Sequence, residues 1–191
     1  RGIALDPDRK DEFNKAVAEA AASAQRLNVD KVNCLVGLVP ENNQEELLHK
    51  NLIDNISYAA DELAKINVNL MIEPINHFDF PGFYLNKTEQ VINVLNEVNK
   101  PNVFLQYDAY HAEREEEDHK KILKNYFDRI GHIQVADNPG RQQPGSGVID
   151  FKFILEELDK LGYSGFIGME YKPNPDTLAS LKWINDYGVK L

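Results

Sequence analysis

At 191 residues, with 42% hydrophobic and 27% charged residues, the chain has enough apolar material for one domain with a core and no composition that marks disorder. Its net charge of −10 argues against a surface built to neutralise nucleic-acid phosphates, which needs clustered Lys and Arg. The one cysteine, Cys34, cannot make an intramolecular disulfide, no apolar run approaches the roughly 18 residues of a membrane span, and no charged-then-apolar leader opens the chain. These features predict a cytoplasmic protein with neither nucleic acid nor membrane as a partner. Cys34 lies in the apolar run Val32-Asn33-Cys34-Leu35-Val36 and reads as a buried strand residue rather than a reactive thiol. Arg1 to Pro7 reads as a loop entered in mid-course, which predicts an incomplete chain.

Asp6 or Asp8 can start a helix that carries Phe13, Val17, Ala20, Ala21, Ala24 and Leu27 on one face. A strand over 31–38 follows, and the loop over 37–43 has residues that could line a site at its end. A helix over 44–65 places Leu48, Leu52, Ile56, Ala59 and Leu63 inward and leads into the strand Asn69-Leu70-Met71-Ile72, which delivers Glu73 before Pro74 closes the ladder. The aromatic loop over 76–83 is too long and apolar for a simple turn, and His77 and Asp79 in it are candidates to shape a site.

Thr88 reads as the N-cap of a helix burying Val91, Ile92, Leu95 and Val98, before the strand over 103–108 that ends on Asp108. The charged run from His111 to Lys121 reads as a solvated helical face that ends in Ile122, Leu123 and Tyr126 at the core, with His111 set apart by its nearness to Asp108. A strand over 130–134 ends on Gln134 and passes into a loop over 136–147 rich in turn formers. Asp150 caps a helix over 151–161 that Gly162 ends, the strand over 166–170 ends on Glu170, and a helix over 177–187 closes the chain with Leu178, Leu181 and Ile184 inward. His49, His119 and His132 read as surface or packing residues.

Four of the strands therefore end on oxygen-bearing side chains: Glu73, Asp108, Gln134 and Glu170. The intervals are 35 (73 to 108), 26 (108 to 134) and 36 (134 to 170), each about one strand-helix-strand unit of roughly 30 residues. Strands that alternate with helices predict right-handed crossovers and a parallel sheet, so the four tips come together. One buried Glu at a strand end is commonly a structural salt bridge. Four oxygen ligands in register form a hard set, suited to magnesium, manganese or calcium. An open doubly wound sheet binds at one switch point, whereas a barrel collects residues from many strand ends, so the pattern favours an α/β (β/α)₈ TIM barrel. Only five strands are legible, against eight in about 250 residues for such a barrel. Residues 1–191 are thus expected to form a single domain made of the C-terminal five strand-helix units, lacking the three N-terminal strands. Val32 would border an open edge that invites another chain, including a homo-oligomeric partner.

Ile72-Glu73-Pro74-Ile75-Asn76, Gln106-Tyr107-Asp108-Ala109-Tyr110-His111, His132-Ile133-Gln134-Val135-Ala136-Asp137, Pro144-Gly145-Ser146-Gly147 and Gly168-Met169-Glu170-Tyr171 together resemble the hydroxypyruvate isomerase family, among the xylose-isomerase-like barrels. The resemblance implies a divalent metal, Mg²⁺ or Mn²⁺, held by Glu73, Asp108, Gln134 and Glu170. It also implies that Glu73 and Glu170 are the acid-base pair and that His111 and Arg141 contact a small anionic 2-oxo acid or sugar-like substrate. Gln134, where ketose 3-epimerases usually carry His, points to the hydroxypyruvate branch. The implied reaction converts hydroxypyruvate to 2-hydroxy-3-oxopropanoate (tartronate semialdehyde) through an enediolate. Arg141 suits the substrate carboxylate by a two-pronged hydrogen bond, with a surface arginine as the plain alternative. The competing readings are a related isomerase or epimerase of the ketose 3-epimerase or 2-oxo-tetronate isomerase type, a phosphodiesterase like the apurinic endonucleases, and a non-catalytic homologue. The phosphodiesterase needs a basic face and a His-rich metal set, which five scattered histidines do not supply. A non-catalytic homologue has no reason to keep both glutamates.

Overall fold

The computed structural model describes residues 2–41 and 44–189, in two compact units, Arg1–Gln106 and Tyr107–Leu191. Asn42 and Asn43, in the loop expected to line a site, lie outside the described residues. No helix among the described residues is long and apolar enough to cross a membrane.

The first unit holds α1 (Lys10–Leu27), β1 (Lys31–Cys34), α2 (Glu45–Ala64), β2 (Asn69–Ile72), α3 (Thr88–Val98) and β3 (Val103–Asp108), whose last two residues belong to the second unit. Its strands pair in parallel in chain order, with Val32 opposite Leu70 and Leu70 opposite Val103. The apolar stripe read on α2 is buried as expected, and α2 packs against α1, β2 and α3. Each fully buried Leu or Ile there contributes about 1.5–3 kcal/mol. On α1, Phe13, Val17 and Ala24 are buried, but Leu27 is 66% exposed. The helix ends at Asn28 in the left-handed conformation (φ 53°), so Leu27 sits in the last turn, past the packed stretch.

The strand expected over 31–38 stops at Cys34. Beyond it the Val36 carbonyl accepts from Leu5 N–H at 2.9 Å, and a Cβ on Gly2 would lie 1.9 Å from the Leu35 carbonyl oxygen. The segment around Ala4 and Leu5 is itself held by the Asn51 and Asn55 side chains, which donate to those two carbonyls at 2.8–3.3 Å. Leu38 then makes an isolated antiparallel bridge to Phe83, in the loop after Glu73. Thr88 is the first helical residue of α3 and Lys87 the cap; the Gln90 side-chain oxygen accepts from both Asn86 and Lys87 N–H at 2.9 Å, so the acceptor comes from the third helical position.

The second unit holds α4 (Ala109–Arg114), α5 (His119–Tyr126), β4 (Ile130–Val135), α6 (Phe151–Leu161), β5 (Ile167–Met169), α7 (Thr177–Ser180) and α8 (Trp183–Asp186). β4 and β5 pair in parallel, Gln134 opposite Gly168. Asp150 caps α6 by accepting from Phe153 N–H at 3.0 Å, and Gly162 (φ 77°) ends it, both as read from the sequence. The charged run 111–121 is not one solvated face. α4 buries Ala109 to Ala112, a turn with Glu116 at φ 56° reverses the chain, and Asp118 caps α5 through Lys121 N–H at 3.2 Å. Half-buried His119 accepts or donates between the Tyr107 hydroxyl (2.5 Å) and Glu113 (3.0 Å), fastening α5 to the end of β3. The closing helix is two short ones; Trp183 and Ile184 are buried, whereas Leu178 is 82% exposed. Phe166, expected inside a strand, is 88% exposed just before β5.

Candidate active site

In the first unit, Glu73 follows β2 directly and is buried. Two amides converge on one of its oxygens: Asn33 Nδ2 and Gln106 Nε2 donate to Oε2 at 2.7 and 2.8 Å. Two N–H donors fill the accepting positions of Oε2, so any proton Glu73 carries or moves sits on its other oxygen. Asn33 and Gln106 were not assigned roles from the sequence. A polar residue interrupting each apolar strand run was the available signal. His77 and Asp79 are exposed; Asp79 folds back on buried Asn76, accepting from its amide at 3.1 Å and donating its N–H to the Asn76 side chain at 2.8 Å.

In the second unit, Asp108, His111, Gln134, Arg141 and Glu170 are brought together. Asp108 ends β3 and caps α4, its Oδ1 accepting from Tyr110 N–H at 2.9 Å. That cap aims Oδ2 elsewhere: it is buried, has no hydrogen-bond partner, and lies 3.7 Å from both His111 Nε2 and an Arg141 terminal nitrogen. Burial raises the Asp108 carboxyl from its ordinary 3.8 to about 7; the Tyr110 N–H and the Arg141 charge pull the other way, and the Glu170 charge adds to the rise. Arg141 also reaches Glu170 Oε2 at 3.2 Å and lies over the Tyr110 ring, 5.0 Å from its centre. Gln134, on β4, donates its amide to the same Glu170 oxygen at 2.8 Å. Glu170 follows β5, and its side chain is 51% exposed.

Chemically this is a site for positive charge. Two carboxylates share one guanidinium, and a buried carboxylate oxygen beside an imidazole within 4.8 Å lacks a donor, which is an arrangement that could hold a metal ion. Its donors are mainly oxygens, with one imidazole, and no thiolate. Cys34 is half-buried in β1, where burial pushes its thiol up to about 12, away from the thiolate form that binds metal.

Residues 2–187 match the xylose isomerase-like TIM barrel family, and the chain belongs to it. Among curated relatives, it is 42% identical over 187 residues to a hydroxypyruvate isomerase of Escherichia coli, covering 98% of this chain and 72% of that one. It is 34% identical, with the same two coverages, to a 2-oxo-tetronate isomerase of Cupriavidus necator. Among solved structures, one described as an AP endonuclease, family 2, from Brucella melitensis superposes with a TM-score of 0.93 at 29% identity, over 98% of this chain and 72% of that one.

Proposed function

We propose that this chain is the catalytic part of a hydroxypyruvate isomerase, interconverting hydroxypyruvate and 2-hydroxy-3-oxopropanoate. What carries the reading is Arg141, set between the Asp108 and Glu170 carboxylates with Gln134 on the same Glu170 oxygen, in a chain 42% identical to a protein named for that reaction. Asp108, Gln134 and Glu170 would hold a divalent metal, magnesium or manganese, and Glu73 would be the fourth ligand. The five strand-helix units would be part of an eight-stranded barrel that forms one domain, and the single cysteine accords with a cytoplasmic location.

A divalent cation supplies Lewis-acid polarisation of the two adjacent substrate oxygens. The rest falls to the protein's own side chains. One of Glu73 and Glu170 takes the proton from C3 of hydroxypyruvate, giving an enediolate; the hydroxyl proton passes from O3 to O2, and the other glutamate delivers a proton to C2. Asn33 and Gln106 occupy Glu73 Oε2, which leaves proton transfer to its other oxygen. Arg141 meets the substrate carboxylate with a planar fork, and His111, buried beside Asp108, contacts the substrate from the α4 side.

The 2-oxo-tetronate isomerase relative favours a second reading on the same residues, with a four-carbon 2-oxo acid as substrate. The endonuclease description of the Brucella melitensis structure is less favoured here, because a net charge of −10 does not suit a phosphodiester backbone. Proton NMR of hydroxypyruvate in D₂O with magnesium or manganese and no nicotinamide tests the proposal. Exchange at C3 or deuterium at C2 of the product is expected. Neither signal with hydroxypyruvate, together with turnover of a 2-oxo-tetronate, would move the assignment to the second reading.

A further inference from the structure

We propose that Asp137 and Gln143 are positioning residues that hold the loop over 138–149 as a rigid brace, fixing Arg141 over Glu170. The inference rests on the reading of Arg141 as the residue that meets the substrate carboxylate. Asp137 lies two residues past the end of β4 and is buried. Its carboxylate is the hub of the loop: Oδ1 accepts from Asn138 and Ile149 N–H at 2.9 and 3.0 Å, and Oδ2 from Gly145 and Gly147 N–H at 2.9 and 2.8 Å. Four donors spread over twelve residues point at one side chain, so the loop is wound around a buried acceptor and cannot open without stranding it. The winding is tight enough to require Gly147, where a Cβ would lie 2.0 Å from the Asn138 carbonyl oxygen and 2.7 Å from Asp137 Oδ1.

The far side of the loop is fastened to the segment after β5. Lys172 N–H donates to the Arg141 carbonyl at 2.7 Å, and Gln143 pairs with the Asn174 backbone in both directions, at 2.8 and 3.1 Å. Between these two anchorages Arg141 adopts φ 51°, a left-handed conformation that a residue with a Cβ keeps only where its surroundings impose it. The neighbouring Gln142 carbonyl accepts from Asp137 N–H at 2.8 Å, closing the turn that carries the arginine. Asp137 and Gln143 touch neither Asp108 nor Glu170 in these contacts. Their effect on the site passes through the Arg141 backbone.

The test measures Arg141 directly and through turnover, in Asp137→Asn, Gln143→Ala and Arg141→Ala. In the wild type, ¹⁵N relaxation of the Arg141 Nε–H, identified by its loss in Arg141→Ala, should report a group about as rigid as ordered backbone, with an order parameter near 0.85, falling below about 0.6 in both loop variants. KM for hydroxypyruvate should rise roughly tenfold in Asp137→Asn and less in Gln143→Ala, with kcat within about twofold. Neither change should raise KM further in the Arg141→Ala background, because a residue that acts through Arg141 has nothing left to position there. A rigid Nε–H in both loop variants, or a KM increase that persists without Arg141, overturns the proposal. If Asp137→Asn does not fold, Gln143→Ala at the loop rim decides alone by the same criteria. If the wild type does not turn over hydroxypyruvate, the isomerase reading fails while the relaxation measurement still decides whether the brace exists.

Discussion

Replacing Asp108 by Asn separates what this residue costs the fold from what it does for the site. The side chain is fully buried and its carboxyl is raised from 3.8 to about 7, with burial as the main cause. Between those two values the unfolded chain has already released the proton that the folded protein keeps, so stability falls as pH rises through the window, and the full cost is present above pH 7. Roughly 3 pH units at about 1.4 kcal/mol each put that cost near 4 kcal/mol. Asn keeps an oxygen for the Tyr110 N–H and so keeps the cap, and the Arg141 attraction it forgoes is already included in the net rise to about 7. The Asn amide put in its place is itself buried, at a cost of about 2 kcal/mol, so a net gain of about 2 kcal/mol at pH 8 is expected, or roughly 4–8 °C in Tm for a chain of this size. Thermal unfolding in the presence of a chelator, followed by circular dichroism at pH 8 and pH 5, measures it. The stabilisation should be clear at pH 8 and smaller at pH 5, where Asp108 is already mostly protonated in the fold. Added manganese should raise Tm of the wild type and leave Asp108→Asn nearly unmoved. A variant less stable than wild type at pH 8 with chelator, or one that keeps the wild-type response to manganese, would refute the reasoning.

Three further outcomes follow from the same geometry. Glu73→Gln and Glu170→Gln keep side-chain shape while removing a proton carrier, so turnover should drop by roughly 10²–10⁴ with little change in the circular dichroism spectrum; wild-type activity in either would remove it from the acid-base pair. The Cys34 thiol, held up near 12, should resist iodoacetamide at pH 8 in the native state and react once the chain is unfolded in urea, whereas rapid native labelling would contradict its burial. Phe166, 88% exposed just before β5, offers a large apolar side chain to solvent, so Phe166→Lys should weaken concentration-dependent association in sedimentation velocity without lowering Tm. Equal association by both proteins would place any contact elsewhere.

The amino-acid sequence by itself determined the local elements and the ends of the strands. The α2 stripe, the Asp150 cap, the Gly162 stop and the delivery of Glu73, Asp108, Gln134 and Glu170 at or just beyond strand ends depend on periodicity and capping within a turn or two of chain, and each was legible there. The five motifs also identified the family that residues 2–187 match. Tertiary structure decided what depends on distant segments. β1 ends at Cys34, beyond which the Val36 carbonyl accepts from Leu5 N–H, and Glu73 is held by amides 40 and 33 positions away. The charged run after Asp108 divides into two helices, the first of them buried, and Leu27 and Leu178 stay exposed although their spacing matched buried residues of the same stretch. Asp137 carries no assigned role in its motif, and only the fold converges four N–H groups on it. Periodicity encodes which side of an element is apolar. Which partner covers that side, and which donor reaches a buried carboxylate, is set only when segments far apart in the chain pack together.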